Sequence, residues 1–569
     1  MAKMKGAKAV VEALKKEGVT TMFGFPGGAN MPIYDALIEE EKNLRHILVR
    51  HEQGAAHAAE GYARASGTTG VCMATSGPGG TNLLTGIADA YLDSVPIVAI
   101  TAQVSSHLIG GDAFQEADLF GLTMPITKHN YKILDAQELP KVFKEAFALT
   151  RLGRPGPVAI DIPKDVLNTM IEFNYPKGEL KIPGYQPQLI GHPEQIKKAV
   201  DMIVAAERPL ILAGGGIIAS NAHQELVALA EALFAPVTTT LMAKGAISDL
   251  HPLCLNQPGM HGRVVANWAI QNCDLLICIG ARFDDRITGD PATFATNAKI
   301  IHIDIDTAEI GKNVRVHLPI VGDAKSILTE MLKMLANVKY TKGENEWRKR
   351  IKELKRECTC DFNLKGNPIK PQKVIWELNQ LMPKDGILVT EVGQHQMFAM
   401  HFYKAPGPRQ FISSGGLGTM GFGLPAAIGA KAAKPDKTVV DLAGDGSILM
   451  VNQEFTTSVE HDLPVAAVVL NNNWLGMVKQ WQKLFFEKRY SGTNLGKMPN
   501  FVKLIEAYHG KGERVERESE VHDALQRALK TDVAFLLDIV TDPEEDILPM
   551  VPAGGRLDHM ILGKPCPKI

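Results

Sequence analysis

Apolar positions along the chain fall into two alternating rhythms. Short, nearly continuous apolar runs at 21–25, 46–49, 69–74, 95–102 and 158–162 read as buried strands. Between them lie stretches at 7–16, 55–65, 82–91 and 140–150 whose apolar residues recur at helical spacing. A stretch rich in Pro, Gly and charge at 166–193 reads as a linker, after which the alternation resumes with a helix at 193–205 and strands at 209–213, 275–280 and 299–305. A charged helix of mixed sign at 344–357, read as a solvated face, and a second break at 366–370 lead into a third series. It has a helix at 372–381 and strands at 387–390, 411–413, 438–442 and 465–470. Strands alternating with helices predict an α/β chain of doubly wound parallel sheets. The breaks predict three such domains, over 1–170, 190–340 and 368–545, and a tail over 546–569 that either covers a site or wraps the surface. The residues themselves show no internal repeat and no low-complexity segment.

Composition narrows the class. With 569 residues the chain is too long for one core, and 45 % hydrophobic and 22 % charged residues are ordinary globular values. A formal charge of −2 gives no electrostatic case for nucleic acid or an anionic membrane. No run of about 18 apolar residues offers a spanning helix, and the helical pattern that starts at Ala7 leads us to expect no signal or transit sequence. The seven cysteines, Cys72, Cys254, Cys273, Cys278, Cys358, Cys360 and Cys566, are odd in number and scattered. No disulfide frame is expected, and a reducing, cytoplasmic setting fits.

The candidate chemistry lies at strand ends. The strand at 438–442 stops at Ala443, Gly444, Asp445, Gly446 and Ser447; a helical pattern carrying Leu449, Phe455 and Val459 follows, and the strand at 465–470 stops at Asn471, Asn472 and Asn473. One β-α-β unit brings both stops to neighbouring C-terminal strand ends, where open α/β sheets bind ligands. Asp445 and Asn472, with the carbonyl of Trp474, could hold one Mg²⁺, and Gly444 and Gly446 let backbone approach a diphosphate. A glycine turn with a chance Asn pair is the plainer alternative. Other strand ends carry Pro26, Gly27 and Gly28; Glu52, which could equally be a helix N-terminal charge; and a small-residue loop at 75–81. Gly214, Gly215 and Gly216 form either a phosphate loop or a plain turn. Arg282, Phe283, Asp284, Asp285, Arg286, Asp304, Ile305 and Asp306 suggest a nucleotide site or exposed ion pairs. Met420, within the glycine-rich stretch 415–421, is by default a core residue.

The 27 residues from Asp445 to Asn472, with strands on both sides, resemble the thiamine-diphosphate signature of decarboxylases and carboligases. With the stretches 26–29, 50–53, 76–82, 112–116, 153–164, 259–262, 282–289, 302–312, 391–395, 415–430 and 475–481 in order, nearly the whole chain resembles the catalytic subunits of acetohydroxyacid synthases, also called acetolactate synthases. The resemblance implies three domains, binding the pyrimidine of thiamine diphosphate, FAD, and the diphosphate with Mg²⁺. It implies decarboxylation of pyruvate and condensation of the remaining two-carbon unit with pyruvate or 2-oxobutyrate, as in branched-chain amino-acid biosynthesis. Glu52 would hydrogen-bond the pyrimidine, Met420 would wedge under the cofactor, and Val392, Gly393, Gln394 and His395 would take its diphosphate. Gly28, Pro78, Asn82, Gly418, Gly444, Gly446, Ser447 and Met477 would complete its surroundings, and Asp445, Asn472 and Trp474 would ligate Mg²⁺. Arg286 and Trp481 would receive the second 2-oxo acid, with Gln115, Phe114, Lys164 and Gly28 along the same cleft. FAD would lie among Gly214, Gly215, Gly216, Leu241, Met242, Gly259, Met260, His261, Gly280, Arg282, Asp284, Arg286, Asp304, Ile305 and Asp323. In the superfamily Glu52 and Asp445 face each other across two chains, which implies a homodimer or homotetramer; a small regulatory subunit stays open. Ser105 and His107 depart from many relatives at the channel mouth, which bears on inhibitor response. Related FAD-containing pyruvate oxidases and glyoxylate carboligases are the rival enzymes, the latter lacking a carboxylate at the position of Glu52. A cofactor-binding scaffold without turnover is the rival from another class.

Overall fold

The computed structural model describes residues 2–178, 180, 182–338, 344–358 and 364–562. Cys360, Cys566 and the end of the expected tail at 563–569 lie outside them. The other five cysteines are buried, and Cys72, Cys254, Cys273 and Cys278 are free thiols.

The first sheet is built from β2 (Thr21–Gly24), β3 (Arg45–Leu48), β4 (Gly70–Ala74), β5 (Ile97–Gln103), β6 (His129–Lys132) and β7 (Val158–Pro163), in the order β3-β2-β4-β5-β7-β6 and parallel throughout. Period-two alternation divides β2, β4 and β5 between two cores: Ile97 and Ala99 face one side of β5, Val98, Ile100 and Ala102 the other. Two elements depart from the expected pattern. The polar strand β6 sits at the sheet edge, pairing only with β7, so it needs no continuous apolar run. Within the expected linker, helix Lys164–Asn168 leads into β8 (Met170–Phe173), which pairs antiparallel with β1 (Ala2–Lys5) at the start of the chain. Charge and Pro in that stretch mask a strand with only one buried residue.

The central sheet contains β9 (Pro209–Ala213), β10 (Val237–Thr239), β11 (Leu275–Ile279), β12 (Lys299–Asp304) and β13 (Leu318–Val321), parallel in the order β10-β9-β11-β12-β13. The charged helix Glu346–Glu357 is not wholly solvated: Trp347, Ile351 and Leu354 enter this domain's core, Trp347 stacking on Trp268 with centroids 5.2 Å apart. The third sheet has β14 (Ile387–Thr390), β15 (Phe411–Ser413), β16 (Val439–Gly444), β17 (Ala466–Asn471), β18 (Lys511–Val515) and β19 (Phe535–Val540), parallel in the order β15-β14-β16-β17-β19-β18. Its connectivity repeats that of the first sheet, strand for strand.

The first and third sheets share one core, which joins Phe23, Ile47 and Ala99 to Val389, Phe422 and Val469. Helices Glu52–Ser66 and Gly423–Ala433 meet inside it with their backbones in contact. A Cβ on Gly61 would fall 1.9 Å from the carbonyl oxygen of Ala426, and one on Gly429 would fall 1.9 Å from that of Ala58. No helix among the described residues is long and apolar enough to cross a membrane.

Candidate active site

In the third sheet β15 and β16 lie on opposite sides of β14, so a crevice opens beyond the C-terminal ends of β14 and β16. A cavity of about 90 Å³ occupies it, lined by Val392, Gly393, Gln394, His395, Met420, Gly444, Asp445, Gly446, Ser447, Asn472, Trp474 and Met477. Asp445 opens the short helix Asp445–Ile448 and is 2 % exposed. Its Oδ1 accepts the Gly446 N–H at 3.0 Å and its Oδ2 the Asn473 N–H at 2.6 Å. Burial pushes its carboxyl up to about 7. Asn472 accepts the Trp474 N–H at 2.9 Å through Oδ1. A carboxylate and an amide oxygen facing one small cavity are hard donors that suit Mg²⁺ better than a soft metal.

Backbone forms the wall around them. A Cβ on Gly393 or Gly444 would lie 2.8 Å from the His395 ring, and one on Gly446 would lie 3.0 Å from Leu475. Ser447 Oγ closes the turn with the Gly444 N–H at 3.1 Å. Burial depresses His395 to about 3, which favours a neutral ring, and its buried Nε2 has no hydrogen-bond partner among the described residues. That orphan atom and the glycine wall fit a ligand bearing anionic oxygens around a cation. Met420 is partly buried and stands in the cavity rather than in the core. The single helix expected after Ser447 is two, Asp445–Ile448 and Glu454–Glu460.

The central sheet has its own crevice between β9 and β11, with a cavity of about 780 Å³. Gly215, Gly216, Leu241, Met242, Met260, His261, Gly280, Arg282, Asp284, Arg286, Asp304, Ile305 and Asp323 line it, as do Val392, Gly393, Gly418, Met477 and Trp481 from the third domain. Val392, Gly393 and Met477 border both cavities, which are therefore neighbours. Gly214 and Gly259 shape the wall from behind: a Cβ on either would lie 2.0 Å from a carbonyl oxygen, of Gly280 and Arg286 respectively. Phe283, at φ +53°, packs against Phe294 and His302, while its neighbours Arg282 and Asp284 line the cavity instead of forming surface ion pairs. Burial raises Asp304 to about 6 and lowers His261 to about 4, and the buried Nδ1 of His261 has no hydrogen-bond partner among the described residues. An elongated crevice with a triple-glycine turn, two arginines and buried acids fits a dinucleotide such as FAD. Arg154, to which the sequence assigned no role, reaches in from the first domain and bonds Asp306 at 3.1 Å and Glu309 at 2.7 Å.

The remaining candidates lie at the C-terminal ends of the first sheet. Glu52 is the first residue of its helix, whose N-cap is His51. Its Oε2 accepts a bond from Asn82 Nδ2 at 2.9 Å. Pro78 and Asn82 belong to helix Pro78–Asp93, which starts earlier than the small-residue loop suggested because Pro suits a first helical turn. A Cβ on Gly77 would lie 2.7 Å from the carbonyl oxygen of Gln115, itself at φ +60°. Gly28 and Lys164 are exposed, and Phe114 is 88 % exposed. None of Gly28, Glu52, Pro78, Asn82, Gln115 and Lys164 borders either cavity within the chain. The turn before Glu52 is held by a residue the hydrophobic pattern hides. Glu454, buried and raised to about 7 by desolvation, accepts the Arg50 and His51 N–H groups at 3.1 and 3.0 Å and the Thr457 hydroxyl at 2.7 Å.

Paired parallel domains of one connectivity, a metal-suited turn in one and an acidic strand end in the other, define a thiamine-dependent enzyme. Models of such enzymes match the chain in three parts: the N-terminal thiamine pyrophosphate binding domain at 4–122, the central domain at 196–331 and the C-terminal thiamine pyrophosphate binding domain at 391–539. Within that class the chain belongs to the family of acetolactate synthase large subunits. It is 52 % identical, over 98 % of its length and 95 % of the relative's, to the "Probable acetolactate synthase large subunit" of Methanocaldococcus jannaschii. It is 49 % identical to the acetolactate synthase large subunit of Corynebacterium glutamicum (97 % and 89 % covered) and 46 % identical to that of Buchnera aphidicola (99 % and 99 %).

Proposed function

We propose that the chain is the catalytic subunit of an acetolactate synthase, working with thiamine diphosphate, Mg²⁺ and FAD. The observation that carries this is the pairing of cavities: Asp445, Asn472 and Met420 share one, and Arg286 and Trp481 share the adjoining one. Bound thiamine diphosphate supplies the nucleophilic carbon and the electron sink for loss of CO₂ from a 2-oxo acid. Asp445, Asn472 and the Trp474 carbonyl hold Mg²⁺ against the diphosphate, and the glycine-walled turn from Val392 to His395 admits its oxygens. Met420 fills the space beneath the rings. Glu52, oriented by Asn82, holds or passes a proton at a pyrimidine nitrogen. Arg286 binds the carboxylate of the second 2-oxo acid and Trp481 contacts its alkyl group, while Gln115, Lys164 and Gly28 close the far side. Because Glu52 borders neither of these two cavities within its own chain, the complete site takes its Glu52 from a second copy. Two pyruvates and one proton thus give one acetolactate and one CO₂ with no net redox change, so the reaction draws no net electrons from FAD.

The test is product analysis from pyruvate with Mg²⁺ and thiamine diphosphate, with and without FAD. Acetolactate and CO₂ in one-to-one ratio, dependent on FAD, are expected. CO₂ with acetate and reduced flavin would assign the chain to the pyruvate oxidases instead.

A further inference from the structure

Helix Gly476–Phe485 carries Met477 and Trp481 to the cavities, yet one of its most deeply buried side chains is an amide. Gln480 is 1 % exposed. Its Nε2 donates to the Ile547 carbonyl at 3.0 Å, and its Oε1 accepts the Ile547 N–H at 2.8 Å, the two-point pairing one strand offers another. The same Oε1 accepts Gln394 Nε2 at 2.9 Å. Gln394 lies in the turn lining the metal-suited cavity; its Oε1 receives Asn472 Nδ2 at 3.5 Å and its Nε2 also reaches the Glu545 carbonyl at 3.2 Å. One buried amide therefore stands between a candidate metal ligand and the C-terminal segment.

Beyond Ile547 that segment crosses to the central domain. The Val551 N–H donates to the Met260 carbonyl at 2.7 Å, the Gly555 carbonyl accepts the Asp290 N–H at 3.1 Å, and Leu557 is fully buried in the central core. Met260 in turn places its sulfur 3.2 Å from Arg286 Nη1. Ion pairs from Lys479 to Glu544 at 2.6 Å and from Lys483 to Asp546 at 2.7 Å flank the crossing. Glu544 is largely exposed, and such pairs hold weakly. Gln480 is different, because its loss would strand the Ile547 N–H and carbonyl and the Gln394 amide in a buried setting.

We infer that Gln480 is a positioning residue that couples occupation of the metal–diphosphate cavity to the seating of the C-terminal segment on the central domain. This rests on reading the first cavity as the thiamine-diphosphate site. A ligand that fixes Asn472 fixes Gln394 and, through Gln480, the backbone at Ile547. Linkage requires the converse, that a seated segment tightens the cofactor.

Trypsin cleavage at Arg556 and cofactor affinity by tryptophan fluorescence, on the full chain with and without Mg²⁺ and thiamine diphosphate, test the coupling. The cofactor pair should slow cleavage in the unmodified protein about tenfold, and Gln480→Leu should abolish that protection and weaken cofactor binding about tenfold. Gln480→Glu keeps the acceptor for Ile547 and Gln394 and should recover part of both. Deleting 547–569, which leaves the amide in place, should weaken the cofactor to the same degree, with nothing further lost on adding Gln480→Leu. Full protection and unchanged affinity in Gln480→Leu would overturn the inference, and where that variant does not fold, unchanged affinity in the truncated chain would do so. Neither result touches the carboligase reading, which fails only if the unmodified protein makes no acetolactate.

Discussion

Two acids do opposite work in this site. Asp445 is buried with its two oxygens turned to backbone N–H groups and its carboxyl raised to about 7 by desolvation. Proton and cation compete for it: above about 7 the carboxylate is free to bind, and below it each ion bound must displace a proton. Titration calorimetry with Mg²⁺ and thiamine diphosphate should show apparent Mg²⁺ affinity falling about tenfold per pH unit below that point, and Asp445→Asn should erase the dependence together with most of the affinity. Glu52 accepts a bond from Asn82, and in the proposed mechanism it serves proton transfer instead. Glu52→Gln keeps the size and the hydrogen-bonding reach but cannot give up a proton, so turnover should drop about 10²–10⁴-fold with metal binding intact. Steady-state rates beside the same calorimetry separate the two residues, and unchanged turnover in Glu52→Gln would remove its assigned role.

At the scale of elements, the helices Glu52–Ser66 and Gly423–Ala433 fix where both ends of the site begin. Their reciprocal contacts, Gly61 on Ala426 and Gly429 on Ala58, leave no room for a methyl group. Gly61→Ala should therefore cost about 3 kcal/mol, at the upper end of overpacking penalties, although Ala is the better helix former. Urea unfolding should show it as a lower midpoint at unchanged slope. Central strands of the sheets were legible in advance because buried parallel strands are apolar throughout: Pro209–Ala213 and Ile387–Thr390 lie where their residues place them. The strands β6 and β8 were not, since each buries too little of itself to need an apolar run. Glycine turns and acidic strand ends announced Asp445, Asn472 and Arg282. Glu454 and Gln480 stayed hidden because a buried polar residue is recognised only by the partners it meets, and Arg50 and Ile547 lie far off in the chain.

At the scale of the molecule, the first and third domains are one architecture used twice. No residue pattern reveals this, because strand order depends on which apolar runs become neighbours and not on their composition. The repeat extends to the candidate site: Glu52 precedes Gly61 by nine residues and Met420 precedes Gly429 by the same nine, so each contact glycine follows a candidate site residue at the same distance. Within one chain the cavity that holds Asp445 is bordered by Met420 and not by Glu52. A second copy, related by a twofold axis, would present its Glu52 to that cavity and receive the same in return. Subunit mixing tests this directly. Glu52→Gln and Asp445→Asn, each inactive alone, should regain about a quarter of the unmodified activity when differently tagged chains are mixed and shown to have exchanged, since half the dimers would then hold one intact site of two. A mixture that exchanges subunits yet stays as inactive as its parents would mean that each chain builds its site alone, and the two-chain account would be wrong.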